Sequence, residues 1–214
     1  CSSELNGPKG HKIVGEVSDG WITTSRSSNV PEGLPRIAKS AEASGNSFDR
    51  FGGDSWKPYV TVLTSSCLLR PGETFTSPRV IESIGPALVP GVHAMWESSL
   101  GPGSNLGMSN SDIANSYNEY INQYSENKSQ NLNQDRRYLD VHEGHYVYLK
   151  EGEEQFVSGD LIARTLSGNP QQVNEKLDKL GSIGVDNVAL SVVGKKSALD
   201  LIKDFGRQII QERG

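Results

Sequence analysis

The chain is poor in the residues that announce most catalytic chemistries. Its 214 residues include only two cysteines, Cys1 and Cys67. They supply neither a disulfide framework nor a metal-ligand spacing, which suits a reducing cytoplasm. They also lack a spaced partner for nucleophilic work, and no G-x-S-x-G or G-x-x-x-x-G-K-[ST] motif occurs. Basic charge is not in excess. Lys and Arg total 21 against 26 Asp and Glu, for a net charge of −5. This gives no electrostatic reason for a nucleic-acid or anionic-membrane partner. No apolar run approaches the roughly 18 residues of a membrane span. The start, Cys1-Ser2-Ser3-Glu4, has no basic n-region and no apolar h-region, so it does not read as a signal peptide. A lipidated Cys1 is disfavoured because a glycine turn follows with no flexible tether before it, and the missing initiator Met reads as a cleaved or partial product. These absences lead us to expect a cytoplasmic protein with no metal, no nucleic-acid partner and no membrane attachment.

What is present is a βα rhythm. Asn6-Gly7 is a turn dipeptide and Pro8 suits a first helical residue. Ile13, Val14 and Val17 then recur at helical spacing, and Trp21-Ile22-Thr23-Thr24 follows Asp19-Gly20 as a strand. A second helix opens at Val30-Pro31, with Leu34, Ile37, Ala38 and Ala41 on one face. Tyr59–Thr64 is the next strand. This order favours a parallel α/β sheet. Residues 67–141 interrupt it. Ser77-Pro78 starts a helix that Gly85-Pro86 is expected to disturb, a Gly/Ser/Asn-rich loop spans 98–111, and a helix carries Ile113, Tyr117, Tyr120, Ile121 and Tyr124 on one stripe. The rhythm then returns. A helix from Asn169-Pro170 through Val173, Leu177, Leu180 and Ile183 closes at Gly184. Residues 185–193 read as a buried strand, and Ser197 opens a last helix with Leu199, Ile202, Ile209 and Ile210. Residues 145–149 are a candidate fourth strand.

Several of these segments together resemble a known family. "NGPKGHKIVGEVSDGWITTS" and "LSGNPQQVNEKLDKLGSIGVDNVAL" are similar to segments of bacterial luciferase-like flavin- and deazaflavin-dependent oxidoreductases. "GPALVPGVHAMWE" and "YLDVHEGHYVYL" resemble one branch of that family. The resemblance implies an α/β fold, the C-terminal half of a luciferase-like (β/α)8 TIM barrel. It would be a single domain over 1–214, an incomplete barrel whose long insertion is the region 67–141. It further implies FMN or a deazaflavin coenzyme as cofactor, a small-molecule substrate, and a homodimer in the full-length enzyme. A non-catalytic flavin-binding relative and an inactive fragment are the alternatives.

In the family, the loop that the opening stretch resembles binds the cofactor phosphate. The resemblance places that role on backbone N–H groups of Asn6, Gly7, Lys9 and Gly10, with the helix N-terminus directed at the anion. A plain turn that binds nothing is the competing reading. Thr23, Thr24, Ser25 and Arg26 follow the first strand, and barrel sites sit at C-terminal strand ends. Thr24, Ser25 and Arg26 are therefore the substrate-binding candidates, with a solvated loop arginine as the competing reading of Arg26. His142-Glu143-Gly144-His145 lacks the zincin H-E-x-x-H spacing, so a structural or pocket role is preferred over a metal. His93 and Glu97 read as a helix-surface hydrogen bond or a lining of the substrate mouth, and Tyr117, Tyr120 and Tyr124 as packing. The sequence assigns no catalytic residue.

Overall fold

A computed structural model describes residues 7–24, 30–46, 57–100, 111–128, 137–193 and 197–213. In chain order the elements are α1 (Pro8–Val17), β1 (Gly20–Thr24), α2 (Val30–Ser44), β2 (Tyr59–Ser65), α3 (Pro78–Leu100), α4 (Ser111–Asn127) and α5 (Arg137–Val141). A 3-10 turn (Glu153–Phe156), α6 (Gly159–Ala163), α7 (Pro170–Ser182), β3 (Asn187–Ser191) and α8 (Ser197–Phe205) follow. A π-turn (Gly206–Ile210) and a last helical turn (Gln211–Arg213) complete the described chain. The chain divides into two compact units. One is Cys1–Ser66 with Gln171–Ser191, and the other is Cys67–Pro170 with Val192–Gly214. No helix among the described residues is long and apolar enough to cross a membrane.

The first unit holds a three-stranded parallel sheet in the order β1-β2-β3. Parallel neighbours need crossover connections, and the helical stripes in the sequence supply them. Trp21 lies opposite Val60, and Val62 lies opposite both Thr23 and Val188. Trp21, Val60 and Val62 join Val14, Val30 and Ile37 in one buried cluster. The alternate residues behave differently: Ile22 is 60% exposed and Leu63 is 37% exposed. Asp186, part of the "GVD" segment, has a structural role here. Its Oδ2 accepts from Val60 N at 2.8 Å and its Oδ1 from Lys57 Nζ at 2.5 Å, while its own N–H donates to Val60 O at 2.9 Å. These bonds set the start of β3 against β2.

Two expectations about this unit are corrected. The apolar stripe of α1 was read as Ile13, Val14 and Val17, but Ile13 and Val17 are exposed, and the buried face is Gly10, His11, Val14 and Gly15. The cause is close helix packing. A Cβ on Gly15 would lie 2.4 Å from Ile37 O and 2.7 Å from Ser40 Cβ, so α2 occupies the face on which glycine leaves room. His11 meets Trp21 edge-on at 5.1 Å. The second correction concerns the last strand. It is only half-buried, because it is paired on one side by β2 and has no strand beyond it in the described sheet.

In the second unit α3 runs without a break through Pro86 and Pro90, so the expected disturbance at Gly85-Pro86 does not end the helix. Burial outweighs the lost N–H groups. Val80, Ile84, Leu88 and Val89 pack with Cys67, Val157 and Ile162, and Val92 and Trp96 pack with Tyr117, Ile121 and Val141. A Cβ on Gly85 would sit 2.6 Å from Leu149 Cδ1, so that glycine also serves packing. Residues 145–149 do not form a strand. Gly144 has φ 73° and Tyr146 φ 61°, and both Val147 N and Tyr148 N donate to Gly144 O, which curls the segment into turns. Near the start of the unit Arg79 grips Glu73 and donates to Leu68 O at 2.9 Å. In α8, Leu199 and Ile202 are 65% exposed, whereas Phe205 and, in the π-turn after it, Ile209 are buried.

The glycine environments separate two outcomes. Gly15→Val forces a side chain into the α2 backbone and is expected to cost about 1–3 kcal/mol, as overpacking does. A side chain at Gly7 meets nothing within 4 Å among the described residues, at an extended φ of −103°, so Gly7→Val is expected to cost no more than about 1 kcal/mol, the scale of a poorer helix cap. Urea unfolding of both variants beside the parent chain measures the difference.

Candidate functional site

The N-terminus of α1 is the first candidate. Pro8 carries no N–H, and the His11 N–H donates to Gly7 O at 2.9 Å. The amides of Lys9 and Gly10 therefore have no intrahelical acceptor, and no side chain caps the helix at Gly7. No acidic residue stands in the first turn. Both features suit an anion, since the helix dipole places positive potential there. Lys9 is exposed and Gly10 buried. Among the described residues nothing lies within 4 Å of a Cβ placed on Gly7. The donor set therefore fits a phosphate.

The short α1–β1 connection makes the helix run back along its strand. The N-terminus of α1 thus belongs to the end of the sheet where β1 finishes, the end at which α/β folds place their ligands. Thr24 ends β1 and is half-buried. Thr23 is nearly fully buried, on the same strand face as Trp21. It turns toward the helix-covered side rather than the face expected for a site. Asn6, Ser25 and Arg26 lie outside the described residues.

The second unit holds a polar cluster that sequence reasoning missed. Glu153 is 1% exposed, yet its carboxylate is fully engaged. Oε1 accepts from His93 Nε2 at 2.9 Å, from Tyr117 OH at 3.0 Å and from Lys150 Nζ at 2.5 Å. Oε2 accepts from Lys150 N at 3.0 Å. Lys150, itself 2% exposed, also donates to Val141 O at 2.8 Å. Burial alone would raise the Glu153 pKa. Hydrogen bonds from His93 and Lys150 outweigh it and hold the carboxyl below its usual range. Burial lowers His93 and Lys150, each against the opposing pull of Glu153. Burial, reinforced by the Glu153 charge, raises the Tyr117 phenol. The arrangement is an ionised carboxylate held by a lysine, with a neutral imidazole and a neutral phenol as further donors.

His142 and His145 border this cluster. Glu97 binds His142 Nε2 at 2.7 Å, not His93, which corrects the expected i, i+4 pair on α3. His93 is buried rather than on the helix surface. The sequence carried one usable signal, the His-Glu-Gly-His turn. Its partners on α3 and in the 3-10 turn are remote in sequence, so spacing did not reveal them.

No protein-family profile matches the chain, and no curated protein sequence does either. Among solved structures, the chain is similar to a coenzyme F420 dependent tetrahydromethanopterin reductase from Methanopyrus kandleri, with a TM-score of 0.51 and 17% identity. The match covers 97% of this chain and 49% of that one, so the chain spans about half the length of the reductase. At this identity the likeness is one of fold, a mixed α/β architecture with a parallel sheet.

Removing one side of the buried ion pair tests the cluster. Lys150→Met leaves Glu153 enclosed without its cation and is expected to destabilise by about 3–5 kcal/mol. Lys150→Met with Glu153→Gln is expected to lose less, because no bare charge remains. The carboxyl of Glu153 lies below its unfolded value, so its contribution is complete above about pH 4.3 and is lost as pH falls through the folded value. In Lys150→Met that folded value rises, and acid unfolding followed by circular dichroism is expected to begin at higher pH.

Proposed function

We propose that this chain forms part of a luciferase-like oxidoreductase that uses a deazaflavin coenzyme to exchange hydride with a small organic substrate. The observation that carries the reading is the fold likeness to an F420-dependent reductase over 97% of the chain. F420 is a deazaflavin, which favours that class over FMN. The phosphate-ready N-terminus of α1 supports the same reading from the residues upward.

A bound deazaflavin supplies the hydride chemistry. The chain's own part is binding and orientation. Backbone N–H groups of Lys9 and Gly10 would hold the coenzyme phosphate, and the Lys9 ammonium would add a charge-assisted contact. Thr24, with Ser25 and Arg26 beyond it, would meet the substrate at the C-terminal end of β1.

The test is titration of the longest reading frame that carries this chain with F420 and, separately, with FMN. F420 is expected to bind well below millimolar and more tightly than FMN. Gly7→Val is expected to weaken F420 by about 2 kcal/mol, the scale of a lost charged hydrogen-bond contact. Since that substitution meets open space in the fold, a loss of affinity reports on the ligand rather than on folding. Binding of neither cofactor would overturn the reading. Unchanged affinity in Gly7→Val would return the opening turn to a structural role.

A further inference from the structure

Three histidines from two separate parts of the second unit converge. His93 comes from α3, and His142 and His145 come from the turns after α5. One ring nitrogen of each lies within 4.8 Å of the others. The rings do not stack face to face. His93 and His142 meet at 84° with centroids 5.6 Å apart, and His142 and His145 at 67° and 5.0 Å. His93 and His145 are tilted by 35° at 5.7 Å.

The outer nitrogens are already committed. His93 Nε2 faces Glu153 Oε1 at 2.9 Å, and His142 Nε2 faces Glu97 Oε1 at 2.7 Å. A carboxylate accepts, so in each ring Nε2 is the donor and Nδ1 is the nitrogen left to serve as a metal ligand. His93 Nδ1 is buried and has no hydrogen-bond partner among the described residues. That is an unpaired buried nitrogen on a residue only 2% accessible, a costly arrangement unless something binds it. His142 Nδ1 stands 3.2 Å from His145 Nδ1.

The geometry points to a divalent transition-metal site of the zinc type, held by Nδ1 of His93, His142 and His145. Tetrahedral zinc has Zn–N bonds of about 2.0–2.1 Å, which sets its ligand nitrogens about 3.3 Å apart. The His142–His145 spacing matches this already. The remaining separations are within 4.8 Å, so closing on a metal requires the accessible His142 and His145 rings to move toward the buried His93. Glu153 and Glu97 then act as the outer carboxylates that fix tautomer and ring orientation, the usual support of a histidine ligand. Gly144 at φ 73° and Tyr146 at φ 61° turn the chain so that His145 returns over His142. Three protein ligands leave a fourth position for water, and two of the three rings reach solvent. The proposal departs from the expectation of no metal, because His93 adds a third ring to a His142–His145 pair whose spacing alone does not suggest a site. It stands independently of the cofactor reading.

The competing arrangement is an N–H···N bond from His145 Nδ1 to His142 Nδ1, with His93 Nδ1 left bare. The test uses untagged full chain, stripped with chelator and titrated with zinc and, separately, with cobalt(II). One equivalent of zinc is expected with micromolar or tighter affinity, and cobalt is expected to give the intense visible bands of a four-coordinate site. His142→Gln and His145→Gln, both at accessible positions, should each weaken zinc by about 100-fold or more while circular dichroism stays unchanged. Glu97→Gln should weaken it by about 10-fold, the scale of a lost outer-shell partner. Nitrogen-15 spectra should show all three Nδ1 signals shifting on zinc addition. Binding of less than a tenth of an equivalent, affinity indifferent to both histidine variants, or a Nδ1–H proton that persists with zinc would each overturn the site.

Discussion

The second unit depends on one buried carboxylate. An ion as enclosed as Glu153 is tolerated only when donors surround it, because an unpaired charge in a low-dielectric interior costs several kcal/mol. The donors come from α3, α4 and the turn before the 3-10 segment: His93, Tyr117 and Lys150. Satisfying one side chain therefore fixes three elements at once. The Lys150 ammonium carries this order further by donating to Val141 O. Hydrophobic packing supplies the bulk of the cohesion here, but it is non-directional. The carboxylate is what makes the arrangement of the imidazole and phenol specific.

A lower layer of acid-base pairing extends outward from this centre. Lys128 bridges Asp140 and Glu143, and Tyr124 donates to Glu143 at 3.1 Å. Ser125 donates to Asp140 at 2.7 Å. The tyrosine stripe of α4 thus does two things the sequence read as one. Its rings pack, Tyr117 against Phe156 at 5.1 Å, and its hydroxyls reach carboxylates or, for Tyr120, the carbonyl of Glu151. Periodicity announces the packing. It says nothing about the hydroxyls, whose acceptors sit on other elements.

That division describes what the sequence could and could not show. Helices α1, α2, α4 and α7 and strands β1 and β2 were legible because their caps, prolines and apolar spacing are local. The parallel arrangement followed from the order of elements. The errors came where a non-local contact overrides a local preference. Pro86 ought to interrupt α3, yet the buried side chains on both sides of it hold the helix together. Tyr146-Val147-Tyr148 has the composition of a strand, but two left-handed residues in three positions bend it away. The i, i+4 spacing of His93 and Glu97 suggests a helix-surface hydrogen bond or a lining of the substrate mouth, yet His93 is buried. Its buried partner lies 60 residues onward. No window of the sequence contains both.

Glycine shows the same limit most clearly. The opening segment has Gly7, Gly10, Gly15 and Gly20 at similar spacing, and sequence alone treats them as one class of turn or close-approach residue. The structure separates them by what a Cβ would touch. Gly15 is filled by the backbone of α2, and Gly33 by the Trp21 ring, 2.4 Å from its Cη2. These glycines let elements of the same unit approach, and their role ends there. Gly7 has nothing within 4 Å among the described residues and an extended backbone any residue can adopt. Neither packing nor conformation within the described fold requires glycine at that position. Close approach therefore accounts for Gly15 and Gly33, whereas Gly7 is set apart by its place at the N-terminus of α1, before amides that no described side chain caps.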